Sequence, residues 1–74
     1  MSDPVRDVHI TGAPIKLGQF LKLAGLAEDG ADAKDLIEAE EVTVNGETET
    51  RRGRQLTAGD VVALGDDRAR VTTG

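Results

Sequence analysis

The sequence predicts an α+β domain in which one short strand precedes two consecutive helices and four short strands follow. Two apolar stripes at helical spacing in the first half of the chain, and an Asn-Gly turn between β-branched segments, support this prediction. The third observation is a set of short apolar segments separated by glycines in the last third. The 74 residues suffice for one small domain, and no repeat, linker or low-complexity tract divides them.

The first predicted elements are a strand and a helix. Residues 8–11 alternate apolar and polar side chains, as half-buried strands do, and the Gly-Ala-Pro at 12–14 ends this strand. Pro14 is compatible with the first turn of a helix, and Gly25 suits a left-handed C-cap at the end. Between them, apolar residues recur at i, i+3, i+4 and i+7 on one helical face: Leu17, Phe20, Leu21 and Ala24.

A second helix is predicted to begin near Asp29, whose carboxylate can accept hydrogen bonds from the free N–H groups of the first turn. Its apolar stripe consists of Ala33, Leu36 and Ile37. Carboxylates occupy the opposite side, at Asp32, Asp35 and Glu38. Lys34 is the only cation of this helix, and the order Lys34 before Glu38 stabilises a helix less than the reverse order does.

The remaining predicted elements are strands at residues 41–44, 47–50, 61–64 and 69–72. Asn45-Gly46 joins the first two, because both central residues of a type I′ hairpin turn need positive φ. The turns at 58–60 and 65–67 contain glycine and aspartate. The predicted core contains Ile10, Leu17, Phe20, Leu21, Ala24, Leu26, Ala33, Leu36, Ile37, Val42, Val44, Leu56, Val62, Leu64 and Val71.

Charge is unevenly distributed along a chain whose formal net charge is -5. Residues 25–50 hold nine carboxylates and one cation, whereas residues 51–74 hold five arginines and three carboxylates. Screening over about 8–10 Å lets such regions act as separate patches on a folded surface. The densest basic segment is Arg-Arg-Gly-Arg at 51–54, which is either a solvated turn or a set of phosphate contacts.

The composition argues against most enzymes and against membrane insertion. There is no cysteine, so neither a disulfide nor a zinc thiolate can form. Ser2 and His9 are the only serine and histidine and make a poor nucleophile–base pair. No GxGxxG is present, and the Walker-type spacing of Gly25 and Gly30 is followed by Ala31 instead of lysine. With no apolar run near 20 residues and no signal peptide, we expect a cytoplasmic, non-catalytic protein without cofactor or metal.

Several segments together resemble the S4 RNA-binding domain family. They are Lys-Leu at 16–17, Phe-Leu at 20–21, Gly-Leu-Ala at 25–27, Ala-Lys at 33–34, Leu-Ile at 36–37, Val-Thr-Val-Asn-Gly at 42–46 and Gly-Asp-Val-Val at 59–62. Their order and spacing fit the family over about 49 of the 74 residues. The Thr-Arg-Arg-Gly-Arg at 50–54 is most similar to small stand-alone bacterial S4-like proteins; other S4 modules accompany ribosomal protein S4, pseudouridine synthases and tyrosyl-tRNA synthetases.

The resemblance implies an αL motif, with two packed helices against a small, mainly antiparallel sheet, and structured RNA such as ribosomal or transfer RNA as the ligand. Lys16 and Lys34 stand where the family's helices usually carry basic residues. Asp29 and Gly30 stand where many members have Ser-Arg, so one main RNA-contacting arginine is absent, and Glu40 replaces a common glycine. The candidate RNA-binding residues are Lys16, Lys22, Lys34, Arg51, Arg52 and Arg54.

The sequence-based interpretation is therefore a single monomeric S4-like domain over residues 8–72, preceded by a flexible segment over residues 1–7. The alternative is a protein-interaction module whose acidic second helix docks a basic partner, such as a ribosomal or RNA-processing protein. A ubiquitin-like sulfur carrier fits less well, because such carriers end in Gly-Gly and lack two consecutive helices.

Overall fold

Two short helices pack against a five-stranded sheet in the computed structural model, which describes residues 5–73. A second sheet of two strands lies beside the first helix. The elements are β1 (Arg6–His9), β2 (Ile15–Lys16), α1 (Leu17–Leu23), α2 (Gly30–Glu38), β3 (Val42–Val44), β4 (Glu47–Thr48), β5 (Gln55–Leu56), β6 (Val61–Leu64) and β7 (Asp67–Thr72).

The large sheet has the strand order β1-β7-β6-β3-β4 and is antiparallel except where β1 pairs with β7. Val44, Val62 and Ala69 lie in register across its three central strands and are all buried. Because side chains alternate along a strand, the neighbours of Ala69, Arg68 and Arg70, lie on the opposite face. This architecture confirms the prediction of two helices against a small, mainly antiparallel sheet.

Most of the predicted core is buried between the helices and this sheet. Phe20 is completely buried, at the centre of the α1 stripe. Leu26, Leu36 and Leu64 are only half-buried, at the edge of the core. Ala27 and Ala69 are buried although they were not predicted. Ala27 lies between the two helices, outside both apolar stripes, and Ala69 is buried through its register with Val62 of β6. The core comprises Ile10, Leu17, Phe20, Leu21, Ala24, Ala27, Ala33, Ile37, Val42, Val44, Leu56, Val62, Ala69 and Val71.

The start of α1 differs from the sequence-based expectation. Pro14 does not lie in its first turn, since Ile15 and Lys16 first form β2 and pair with Leu56 and Gln55 of β5. A two-residue strand has no periodicity that could reveal it in the sequence. The helix therefore begins at Leu17, directly after a strand that anchors it to a distant part of the chain.

Two predicted local signals are confirmed. Asp29 is the N-cap of α2, and its Oδ1 accepts a 2.8 Å hydrogen bond from the Asp32 N–H. The Asp32 carboxylate in turn accepts from the Glu28 N–H at 3.0 Å. Asn45 and Gly46 both have positive φ, 53° and 87°, as the hairpin turn between β3 and β4 requires.

The N-terminal strand begins and ends two residues earlier than predicted, because β1 spans Arg6–His9 instead of residues 8–11. The proposed flexible segment 1–7 therefore overlaps this strand at its last two residues, and residues 1–4 lie outside the described part of the chain. The Arg6 guanidinium donates a 3.1 Å hydrogen bond to the Ala24 carbonyl and so ties β1 to the C-terminal end of α1. Within residues 5–73, no helix is long and apolar enough to span a membrane.

Candidate nucleic-acid interface

The N-terminal end of α1 is capped by the backbone of the basic segment at residues 51–54, which we call the arginine turn. The Leu17 N–H donates to the Arg54 carbonyl at 2.8 Å, and the Gly18 N–H donates to the Arg52 carbonyl at 3.2 Å. The N-cap residue itself, Lys16, has no side-chain cap. The arginine turn thus satisfies amide groups that a helix end otherwise leaves free, and it is fixed against the helix.

A cleft of about 550 Å³ opens where α1, the start of α2 and the arginine turn meet. Three of its lining residues are cations, Lys16, Lys22 and Arg52, and among residues 5–73 no carboxylate-bearing residue lines it. We call this surface the basic cleft. The remaining lining residues are Gly18, Gln19, Gly30 and Gly53.

Three glycines line the basic cleft and leave its backbone without covering side chains. A Cβ atom added at Gly30 or Gly53 would meet no other atom within 4 Å, so both positions are open to solvent. A Cβ at Gly18 would lie 3.8 Å from the Cβ and carbonyl oxygen of Arg52, which is ordinary contact distance. A large ligand can therefore approach the backbone between the three cations.

Lys34 lies outside the basic cleft but beside it. It is exposed on α2, one helical turn beyond the lining residue Gly30, and residues four apart lie on the same side of a helix. Its ammonium group can therefore extend the positive surface from the cleft along α2.

Arg51 and Arg54 both form ion pairs with the carboxylate of Glu49. Glu49 Oε2 accepts a hydrogen bond from Arg51 Nε at 3.2 Å, and Glu49 Oε1 forms an ion pair with Arg54 Nε at 3.2 Å. The Arg51 side chain remains 77% exposed, whereas that of Arg54 is 31% exposed and its Nη1 atom is buried without a hydrogen-bond partner among the described residues. Both line a separate hollow with Gly53 and Gln55. Of the six candidate residues, the structure therefore brings three together, places Lys34 nearby, and holds two against Glu49.

Sequence reasoning missed Glu49, which counted only as one carboxylate of the acidic segment. Its hydrogen bond with the Arg51 side chain, together with hydrogen bonds from backbone N–H groups, holds the pKa of Glu49 below its usual value against the opposing effect of burial. The signal that could have indicated this role is its position, two residues before the first of the paired arginines.

A second polar network fixes the base of the hairpin. Asn45 donates from its side-chain amide to Asp60 Oδ1 at 3.0 Å and accepts from the Val61 N–H at 2.9 Å, while Asp60 Oδ2 accepts from the Thr57 N–H. Burial alone would raise the pKa of Asp60, but the hydrogen bonds from Thr57 and Asn45 and the charge of Arg54 outweigh it and lower the pKa. The side chain of Asn45 therefore joins the β3–β4 turn to the start of β6.

Part of the acidic segment has a structural explanation. Asp29 and Asp32 make capping hydrogen bonds at the start of α2, where negative charge is favourable. Asp35 and Glu38 are exposed on the same helix and leave a negative surface beside the basic cleft. Elsewhere, Arg70 lies 3.5 Å from Asp7, on the sheet face opposite the helices.

Comparison with known proteins places the chain among S4 domains. The S4 domain family matches over residues 8–72. The chain is 52% identical over 64 residues to a probable ribosome maturation protein, RlbA, of Bacillus subtilis, and the match covers 86% of each protein. It is 40% identical over 72 residues to a tyrosine–tRNA ligase of Burkholderia lata, covering 95% of this chain but 17% of the ligase.

The fold also resembles a solved structure. The solution structure of YbcJ from E. coli, described as an αL motif involved in RNA binding, superimposes with a TM-score of 0.71 and 31% sequence identity. The match covers 95% of this chain and 90% of YbcJ. This similarity confirms the predicted αL architecture.

The two depressed carboxyl pKa values predict a loss of stability in acid. A carboxyl group whose pKa is lower in the folded state stabilises the fold above its unfolded pKa, about 4, and loses that contribution as the pH falls through the folded pKa. We expect the unfolding free energy, measured by urea denaturation and far-UV circular dichroism, to fall below about pH 4. In a Glu49→Gln/Asp60→Asn double variant, the unfolding free energy should decrease less between neutral and acid pH. A decrease as large as in the unsubstituted protein would show that these two carboxyl groups do not cause the acid sensitivity.

Proposed function

The chain belongs to the S4 domain family, and on this premise we propose that it binds structured RNA, without catalysing a reaction, by holding backbone phosphates in the basic cleft. The observation that carries the proposal is the meeting of Lys16, Lys22 and Arg52, from two segments about 30 residues apart, on a surface that no carboxylate of the described chain lines. Lys34 extends this surface and Arg51 flanks it.

Phosphate contacts are the chemistry that these side chains support best. Lysine ammonium groups act as compact charges, whereas the planar guanidinium of Arg52 can bind two phosphate oxygens at once. Sequence-specific readers of single-stranded RNA usually stack bases on aromatic rings. The only Phe, Tyr or Trp here is Phe20, which is fully buried. Recognition therefore depends on the shape and backbone of a folded RNA.

The names of the relatives support the choice of RNA. One relative is a probable ribosome maturation protein, another is a ligase acting with tRNA, and the structural neighbour is described as involved in RNA binding. We infer ribosomal or transfer RNA as the ligand, the cytoplasm as the location, and a monomer as the binding unit.

The acidic surface of α2 contributes selectivity in this proposal. Asp35 and Glu38 repel a polyanion that approaches along α2, so that an RNA binds only in orientations that bring its phosphates to the cleft. Discrimination between ligands can arise from such repulsion as well as from attraction. Docking of a basic protein partner on this surface is the alternative, but no observation favours it over RNA binding.

Neutralising the basic cleft should abolish most RNA affinity. With Lys16→Gln, Lys22→Gln and Arg52→Gln combined, we expect weaker binding and a shallower salt dependence. The magnitude of the negative slope of log affinity against log salt should decrease by roughly 0.7–0.9 for each phosphate that the protein no longer neutralises. The measurement is a gel-shift titration of a folded ribosomal RNA fragment at several salt concentrations.

The matched control compares two single substitutions of equal charge. Arg52→Gln removes a cation from the cleft, whereas Arg68→Gln removes one from the opposite face of the sheet. The proposal requires the first to weaken binding and reduce the salt slope, and the second to have little effect. An equal weakening by both would mean that net charge, and not the cleft, determines affinity.

Removing the repulsive charges should have the opposite effect. Asp35→Asn with Glu38→Gln is expected to increase binding to unrelated RNA more than binding to the preferred ligand, because the repulsion does not depend on sequence. Retention on immobilised total RNA measures this change. Unaltered retention would show that the acidic surface does not contribute to selectivity.

A further inference from the structure

Besides its two ion pairs, Glu49 makes hydrogen bonds with the backbone of the arginine turn and of the residue before it. Its Oε2 atom also accepts from the Thr50 and Arg51 N–H groups, each at 3.1 Å. Only 13% of its side chain is exposed. One carboxylate therefore binds the backbone where the turn begins and, through Oε1, the Arg54 side chain where the turn ends.

These interactions connect Glu49 to the basic cleft. The turn closes with a 3.3 Å hydrogen bond from the Arg54 N–H to the Arg51 carbonyl, and the carbonyls of Arg52 and Arg54 accept from the first amides of α1. Arg52 lines the cleft, whereas the side chains of Arg51 and Arg54 form ion pairs with Glu49. The position of Arg52 thus depends on a turn conformation that the carboxylate holds at both ends.

We propose that Glu49 is a positioning residue for RNA binding, and that its carboxylate strengthens the binding of a polyanion by holding the arginine turn against α1 with Arg52 at the basic cleft. This inference rests on the proposed function. It assigns a favourable role to a negative charge that lies next to the binding surface.

The opposite role for Glu49 is that of a simple counter-charge. In that case its carboxylate only neutralises Arg51 and Arg54, and its removal would free two cations for phosphate binding and raise RNA affinity. The two roles predict changes of opposite sign, which makes them distinguishable in one titration.

The test compares Glu49→Gln with Glu47→Gln. Both remove one negative charge, and Glu47 is an exposed residue of β4 two positions earlier. For Glu49→Gln we expect RNA affinity to fall about tenfold, the order of effect expected when a hydrogen bond to a charged group is removed, with a reduced salt slope. Glu47→Gln should leave affinity unchanged or slightly increased. Glu49→Asp keeps the charge but shortens the side chain, so it should also weaken binding.

Amide hydrogen exchange without RNA provides an independent readout. Loss of the turn conformation should accelerate exchange at Leu17 and Gly18 in Glu49→Gln but not in Glu47→Gln. A merely global loss of stability would instead accelerate exchange throughout the core and leave the salt slope unchanged, which would overturn the inference.

The outcomes separate the inference from the proposed function. If Glu49→Gln binds RNA as tightly as the unsubstituted protein or more tightly, while the Lys16, Lys22 and Arg52 triple variant loses binding, the positioning role is wrong and the cleft proposal stands. If the unsubstituted protein binds no folded ribosomal or transfer RNA, the proposed function fails and the inference fails with it.

Discussion

The backbone hydrogen bonds between the arginine turn and the first amides of α1 determine the geometry of the whole basic cleft. Without them, the Leu17 and Gly18 amides would lose the carbonyls that accept their hydrogen bonds. The pairing of β2 with β5 strengthens this junction, because it brings Lys16 alongside Gln55 immediately next to the turn. The same hydrogen bonds therefore cap α1 and place Arg52 beside Lys16 and Lys22.

The arrangement also explains how an acidic chain can present a surface for a polyanion. Several carboxylates are used in local hydrogen bonds, as with Asp29 and Asp32 at the start of α2 and Glu49 in the arginine turn. The cations of the cleft come from β2, α1 and the arginine turn, outside the most acidic segment. Charges on different faces interact weakly at physiological salt, so the local surface matters more for binding than the net charge of -5.

The fold could be predicted from local signals in the sequence, whereas only part of the site could. The stripe around Phe20, the Asp29 cap and the Asn45 turn depend on residues close together in the chain, and the structure confirms all three. The β2–β5 pairing depends on residues about 40 apart and leaves no periodic pattern. For the same reason the sequence could not show that Arg52 joins Lys16 while Arg51 and Arg54 turn back to Glu49.

The three arginines of the arginine turn show why the sequence alone could not predict the site. Three arginines occur within four residues, and nothing in the sequence distinguishes them. In the fold, the largely buried carboxylate of Glu49 pairs with Arg51 and Arg54, whereas Arg52 lines the basic cleft. Counting cations predicts that RNA binding is possible; only the fold indicates which cations are available for it.

Chemical-shift mapping of an isotope-labelled sample during titration with a folded ribosomal RNA fragment tests the central claim most directly. Binding in the basic cleft predicts that the amides of Gly18, Gln19, Lys22, Gly30 and Gly53 shift together, with little change on the outer face of β6 and β7. Shifts concentrated on that sheet face, or on the acidic side of α2, would contradict it.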